Sequence, residues 1–300
     1  MNIEKIQCPR RPVLRYHGGK WRIAKWILSQ IPLHRVYVEP YAGGASVLMQ
    51  KPRSYAEIYN DLDSEVVNVF RVLRDPIQAA ELERLIRLTP FARKEYEAAF
   101  KPCKEPIERA RRTIMKSFAG YGSDSIHRGK PTNLGMNTRT NLWFATTGFR
   151  SDSNRSGTTP AMDWAHYPCQ ITSFCRRLQG VIIENRPALK VISQYDSPDA
   201  LIYVDPPYVH SSRRDPCHGY RHEMSEDDHR ELAAALRSVS GMVIISGYAS
   251  KLYDRELYSD WRRCELNVPR FGNIERAVEV LWISPNTPEI QGTLFNKDAP

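Results

Sequence analysis

Leu201-Ile-Tyr-Val-Asp205-Pro-Pro-Tyr208 sets a carboxylate at the end of an apolar run and holds it there with prolines, whose φ is fixed near about −65°. The prolines leave backbone carbonyls that no helix or strand consumes, and Tyr208 adds an aromatic face. A rigid acceptor cluster beside a stacking platform suits an aromatic amine. The lone pair of such an amine is delocalised into its ring. Hydrogen bonds from its two hydrogens to the Asp205 carboxylate and the Pro206 carbonyl would localise that pair for in-line attack on an electrophilic methyl group. No covalent enzyme intermediate is needed, and the gain comes from positioning and electrostatics. In this scheme Tyr208 works through its ring face more than its hydroxyl.

A second group surrounds a glycine turn: Val38-Glu39-Pro40-Tyr41-Ala42-Gly43-Gly44-Ala45-Ser46. Glycines after a strand let the backbone approach a ligand, and a helix expected from about Ala45 would offer its positive N-terminus to an amino-acid carboxylate. Asp61 closes the next strand, about 20 positions on, where an acid can accept hydrogen bonds from ribose hydroxyls. Lys20 follows Gly18-Gly19 and can reach a carboxylate.

These residues need a scaffold, and the surrounding pattern supplies one. Arg35 to Glu39 and Tyr55 to Tyr59 read as strands, and Ser64 to Leu73 as a helix with Ser64 as its cap. Gln179 to Glu184, Leu201 to Val204 and Met242 to Ile245 read as further strands, Glu226 to Val239 as a helix, and Ala277 to Ile283 as the strand that closes the sheet. Alternating strand and helix predicts an α/β fold with a Rossmann-like parallel sheet, whose ligands sit at strand carboxyl ends. The ends to inspect are Glu39, Asp61, Asn185 and Asp205. Residues 76–175 are charged and helical, then rich in Gly, Asn, Ser and Thr. The domain division expected is therefore a discontinuous catalytic domain, residues 1–75 and 176–300, with residues 76–175 as a mostly helical and loop insertion.

Composition narrows the partners. The 300 residues carry a formal charge of +9, which favours a polyanion such as nucleic acid. The apolar runs are far below the roughly 20 residues of a membrane span, so a soluble, cytoplasmic protein is expected. Six cysteines without a Cys-x-x-Cys pair predict reduced thiols and neither zinc nor any other metal.

Tyr16-His17-Gly18-Gly19-Lys20, Glu39-Pro40-Tyr41-Ala42-Gly43-Gly44, Asn60-Asp61-Leu62-Asp63 and Asp205-Pro-Pro-Tyr208 resemble, in order, the motifs of the Dam-like DNA adenine methyltransferases. The resemblance covers both ends of the chain and implies S-adenosyl-L-methionine as cofactor, contacted by Tyr16, Lys20, Asp61 and Asp205. It adds Gly19, Glu39, Tyr41, Gly43 and Asn185 as cofactor-binding candidates. It also implies that Asp205, Pro206 and Tyr208 hold an adenine extruded from double-stranded DNA, as a paired amine requires. Two departures stand out: Tyr16 replaces the usual Trp, and Ala45 replaces a third glycine found in some members. The insertion would be the target-recognition domain. Lys101, Lys104, Arg109, Arg111, Arg112 and Lys116 suit phosphates. Arg128, Lys130, Asn137 and Arg139 suit base edges, and Arg150 and Arg155 lie in a polar stretch. Arg270 lies in a loop like the one that flanks the family's base pocket. A monomer or weak dimer, with a cognate restriction endonuclease as a further partner, completes the expectation.

Rival readings rest on fewer residues. An aminocytosine enzyme would use the same acceptor cluster, and RNA is another possible substrate. Pro168-Cys169 resembles the nucleophile motif of cytosine ring-carbon methyltransferases, but it follows no strand and Gly-rich turn, so Cys169 is expected to be incidental and buried. A DNA-binding protein that keeps the fold without catalysis would have no need for both halves of the site. No Gly-x-Gly-x-x-Gly favours an oxidoreductase.

Overall fold

Short runs rich in Val, Ile and Tyr recur along the chain, and in the computed structural model most become strands of one sheet. The strands are β1 (Val36–Glu39), β2 (Ala56–Asn60), a separate pair β3 (Gly135–Asn137) and β4 (Leu142–Phe144), then β5 (Val181–Glu184), β6 (Ala200–Val204), β7 (Met242–Tyr248), β8 (Arg262–Pro269) and β9 (Arg276–Ile283). The helices are α1 (Ala24–Leu28), α2 (Ser64–Arg74), α3 (Pro76–Leu88), α4 (Arg93–Ala98), α5 (Pro106–Ala119), α6 (Pro160–His166), α7 (Ile171–Leu178), α8 (Ala188–Tyr195) and α9 (Glu226–Ser238). The structure describes residues 9–120, 126, 135–137, 142–144, 148–150, 158–209, 220–269 and 276–289. Among them no helix is long and apolar enough to cross a membrane.

The main sheet runs β5-β2-β1-β6-β7-β9-β8. β1, β2, β5, β6 and β7 are parallel, while β9 runs antiparallel to both β7 and β8. Side chains alternate between two cores, as the period of two in a strand demands. Tyr37, Tyr59, Leu201, Tyr203 and Ile244 face a cluster with α2, α3, α5 and α7. Val38, Ile58, Ile202, Val204 and Val243 face a second cluster with α8 and α9. A sheet covered on both faces explains why β6 is buried throughout. Strand order reverses between β1 and β6, so their carboxyl ends form the switch-point crevice.

Several elements differ from the sequence expectation. Ala277 to Ile283 lies inside the sheet rather than closing it, because β8 forms the edge. β8 went unread since its half-buried positions, Arg262, Cys264, Leu266 and Val268, alternate with Arg263, Glu265 and Asn267 and carry little apolar signal. α2 is capped by Asp63, whose side chain accepts from Glu65 N, and not by Ser64. The ribbon β3–β4 stands where irregular backbone is expected. From Ser46 to Gln50 the chain forms turns instead of a helix. Ala45 has φ +52°, which costs a non-glycine residue about 1–2 kcal/mol, and Leu48 N donates to the Glu39 carboxyl at 3.1 Å. The expected helix N-terminus therefore does not exist there.

That turn is clamped from below by a buried ionic cluster. The Arg177 guanidinium donates to both Glu57 oxygens, at 2.7 and 2.9 Å, and to Leu48 O at 2.5 Å. Lys51 Nζ donates to Glu57 Oε1 at 2.8 Å. All three side chains are at most 2% exposed. Removing one member strands charge in the interior, a loss of about 3–5 kcal/mol when nothing compensates. Because Lys51 still serves Glu57, Arg177→Ala should cost about 3 kcal/mol, the lower end of that range, in urea unfolding.

Candidate active site

The cavity at the switch point has a volume of about 270 Å³ and is walled by four strand ends and the segments that cross them. Its floor is the glycine turn. Gly43 has φ +46°, and a Cβ there would come within 2.5 Å of Tyr16 Cε1, so glycine is needed to seat the Tyr16 ring. The close approach inferred from sequence is thus to a side chain of the protein itself. Asp61 orders the same turn: one oxygen accepts from Gly43 N at 2.9 Å and the other from Asp63 N at 2.8 Å. Buried Asn60 ties the ends of β1, β2 and β5 together, donating to Pro40 O and Arg186 O and accepting from Arg186 N.

Tyr16, Gly19, Lys20, Glu39, Tyr41, Gly43, Asp61 and Asp205 all line this cavity. Asn185 does not. Its amide donates to Asp61 O at 2.8 Å and Leu62 O at 3.2 Å, so it buttresses the loop behind the wall. Residues without a sequence signal complete the lining: Pro187 to Leu189 after β5, and Tyr220 to Met224 before α9. Arg221 bridges to Asp63 at 2.9 Å, and the ring of Tyr220 meets His17 edge-on.

At the head of the cavity the charges are shared. Lys20 Nζ donates to Asp205 Oδ2 at 2.8 Å and to Gly18 O at 2.7 Å, and lies 3.7 Å from Glu279 Oε1. Burial works against the Lys20 ammonium, but Asp205 and Glu279 outweigh it and hold that group above the ordinary lysine range. Ser246 Oγ donates to Asp205 Oδ1 at 2.8 Å. Tyr208 lies outside the lining, with its hydroxyl donated to Glu279. Burial raises the Glu279 carboxyl, and Lys20 and the Tyr208 hydroxyl offset the rise only in part. Burial likewise lifts the Glu39 carboxyl to about 8, against the bonds from Tyr37 and Leu48 and with a contribution from Asp205. Glu279 and Ser246 escaped the sequence reading. The signal was present, since each is a polar residue inside an otherwise apolar strand.

A family model for D12 class N6 adenine-specific DNA methyltransferases matches residues 16–114 and 157–270, most of the chain and every one of these cavity walls. The chain belongs to that family. It is therefore a DNA methyltransferase acting on the N6 amine of adenine, and the aminocytosine alternative is not favoured. No curated protein matches it. The family's activity requires a methyl-donor cofactor and takes DNA as substrate.

In this methyltransferase Cys169 is exposed, contrary to expectation, on a short turn, Pro168–Gln170, between α6 and α7. It does not line the cavity, so the thiolate route has no support there. Of the DNA-contact candidates, Arg109 pairs with Glu65, Arg111 with Glu95 and Glu108, and Arg112 with Glu108 and Lys101 O, all within the protein. Lys116 is half-buried with its ammonium 5.8 Å from the Phe100 ring centroid, and Arg150 N donates to Ala119 O. Arg128, Lys130, Arg139, Arg155, Arg270 and the Asn137 side chain lie outside the described residues.

The Glu39 shift makes stability depend on pH. The native carboxyl holds its proton up to about 8, against 4.5 for an ordinary glutamate, so its contribution to stability is lost as pH rises through that window. Glu39→Gln keeps an acceptor for Tyr37 and Leu48 and cannot ionise. Its Tm relative to wild type should climb between pH 5 and about 8 and level off above, as thermal unfolding across that range would show. A difference that is flat with pH would mean Glu39 titrates normally.

Proposed function

We propose that the enzyme uses S-adenosyl-L-methionine held at the switch-point crevice, and that Asp205, Pro206 and Tyr208 receive an adenine extruded from duplex DNA. The observation that carries this reading is the convergence of Asp61, Glu39, Lys20 and Asp205 on one cavity at adjoining strand ends. The donor set fits such a cofactor. Asp61 suits ribose hydroxyls, the apolar edge from Pro187 to Leu189 suits a purine, and Tyr16, Gly19, Lys20, Tyr41 and Gly43 enclose the remainder. When bound, that cofactor supplies a methyl group activated on a sulfonium.

Asp205 does the work on the base. A carboxylate offers about four lone-pair sites, and Lys20 and Ser246 take one on each oxygen, so acceptor capacity is left for an amine hydrogen. The Pro206 carbonyl takes the second hydrogen, and the nitrogen lone pair is thereby localised. As the nitrogen gains its methyl it must shed a proton, and Asp205 is the nearest acceptor in this scheme.

Target recognition is assigned to residues 76–175 and the catalytic unit to 1–75 and 176–300, with the helical half of 76–175 also packed on the sheet of that unit. Gly120 and Phe149 form an isolated antiparallel bridge at the end of α5, which brings together the two ends of the stretch carrying Arg128, Lys130, Asn137 and Arg139. The net charge of +9 supports phosphate contact. Lys116, Arg150 and Arg270 are kept as DNA contacts, while Arg112 would first have to leave Glu108.

Isothermal titration should detect S-adenosyl-L-methionine binding to the free enzyme. Asp205→Ala should retain DNA binding while losing about 4 kcal/mol of transition-state stabilisation, roughly a thousandfold in rate. Transfer of tritiated methyl to plasmid DNA, followed by nucleoside analysis for N6-methyladenine, reports both rate and product. An active Asp205→Ala enzyme would remove this residue from the chemistry, and Cys169→Ala should be silent.

A further inference from the structure

Glu279 carries a carboxylate to a place where the sheet has no packing use for one. It lies opposite Tyr248 of β7 and Leu266 of β8, is 5% exposed, and is followed by four fully buried apolar residues, Val280 to Ile283. An apolar residue would fill such a position at lower cost, since taking a carboxylate out of water is expensive unless its partners return the loss. Its partners belong to the Asp205 end of the sheet. The Tyr208 hydroxyl donates to Glu279 Oε1, and Lys20 Nζ lies 3.7 Å from the same oxygen.

Two further contacts define what those bonds control. Lys20 Nζ is 4.8 Å from the Tyr208 ring centroid, and Tyr248 meets that ring edge-on with centroids 4.7 Å apart. The ring is held by the Lys20 ammonium over it, by the steeply inclined Tyr248 ring and at its hydroxyl, and the hydroxyl bond sets the direction in which its long axis points. Lys20, meanwhile, serves two carboxylates. Paired with Asp205 alone it would neutralise much of that acceptor's charge. Shared with Glu279, it leaves Asp205 the stronger acceptor for amine hydrogens.

We infer that Glu279 is a positioning residue for methyl transfer: from β9 it aims the Tyr208 ring and shares the Lys20 ammonium with Asp205, setting the acceptor that the adenine amine meets. This rests on the reading of Asp205 to Tyr208 as the segment that holds the base. It also gives the Tyr208 hydroxyl a task that the sequence did not suggest.

Glu279→Gln keeps the shape and an acceptor for Tyr208 while removing the charge. In steady-state methylation of plasmid DNA it should lower kcat about tenfold or more, with the KM for DNA within about threefold. Its Tm should be unchanged or raised, because a buried charge is gone and no polar group is orphaned. Tyr208→Phe should lower kcat about five- to tenfold, and the double variant should lose less than the product of the two, since one removes the donor and the other the acceptor's charge of the same bond. A Glu279→Gln enzyme with wild-type kcat would overturn the inference. So would a rate loss that follows a fall in Tm, which would make Glu279 purely structural. Full activity of Asp205→Ala would instead overturn the underlying reading, which separates the two failures.

Discussion

Lys20 brings an ammonium into a position only 6% exposed, and a buried cation survives there only if anions meet it. Asp205 and Glu279 do so, one from the end of β6 and the other from β9. The ion pairs therefore connect three parts of the chain that lie far apart in sequence, and the remaining geometry follows from them. Gly18 must adopt φ +70° to turn the chain toward Asp205, and its carbonyl takes another of the ammonium's protons. Tyr208 must lie beside the same cluster, because its hydroxyl shares the Glu279 oxygen that Lys20 approaches. Without Lys20 the two carboxylates would face each other with no cation between them, whereas Lys20 and Asp205 remain paired at 2.8 Å whatever stands at position 279.

Much of this site was legible because its chemistry coincides with strand ends. Asp205 and Glu39 each terminate an apolar run and Asp61 follows the end of β2, and an acid at such a boundary has no packing reason to be there. Lys20 was legible through its glycines, and the carboxylate it reaches is Asp205 of the protein itself. Glu279 was harder to read because it sits within a strand, where a single charge between valines looks like an exception to the pattern. The turn after Gly44 was misread for a different reason. Local propensity from Ser46 to Gln50 suits a helix, but the Glu39 carboxyl captures the Leu48 N–H and Arg177 captures the Leu48 carbonyl. Those competing bonds are tertiary, and no window of neighbouring residues contains them. Asn185 illustrates the opposite error, for a strand-end position does not by itself turn a side chain toward the crevice.

The limits of the insertion, drawn from composition, also need physical qualification. α3, α5 and α7 share one hydrophobic core with α2 and with Tyr37, Tyr59 and Leu201 of the sheet, so no separate core begins at residue 76. The helical half of the insertion is a layer of the α/β fold. What composition detected was the change from helical to irregular sequence near Gly120, where α5 ends.

This layer also fixes the segment that leads into Lys20. Ser117 of α5 both donates to Arg15 O and accepts from Arg15 N, at 3.2 and 2.7 Å, which pins the residue beside Tyr16. Tyr167 donates to Val13 O at 2.9 Å, and Arg11 pairs with Asp163 of α6. Val13 and Leu14 seat this segment in the core, and these bonds fix its register there. The wall of the cavity formed by Tyr16 to Lys20 is thus hung from α5 and α6, while its charge is matched from β6 and β9. Because α5 ends at the Gly120–Phe149 bridge, the helix that holds Arg15 in place also anchors both ends of the stretch assigned to DNA reading. Arg15 and that bridge are thus held by one helix, so the wall of the cavity and the two ends of the stretch from Gly120 to Phe149 share a single support.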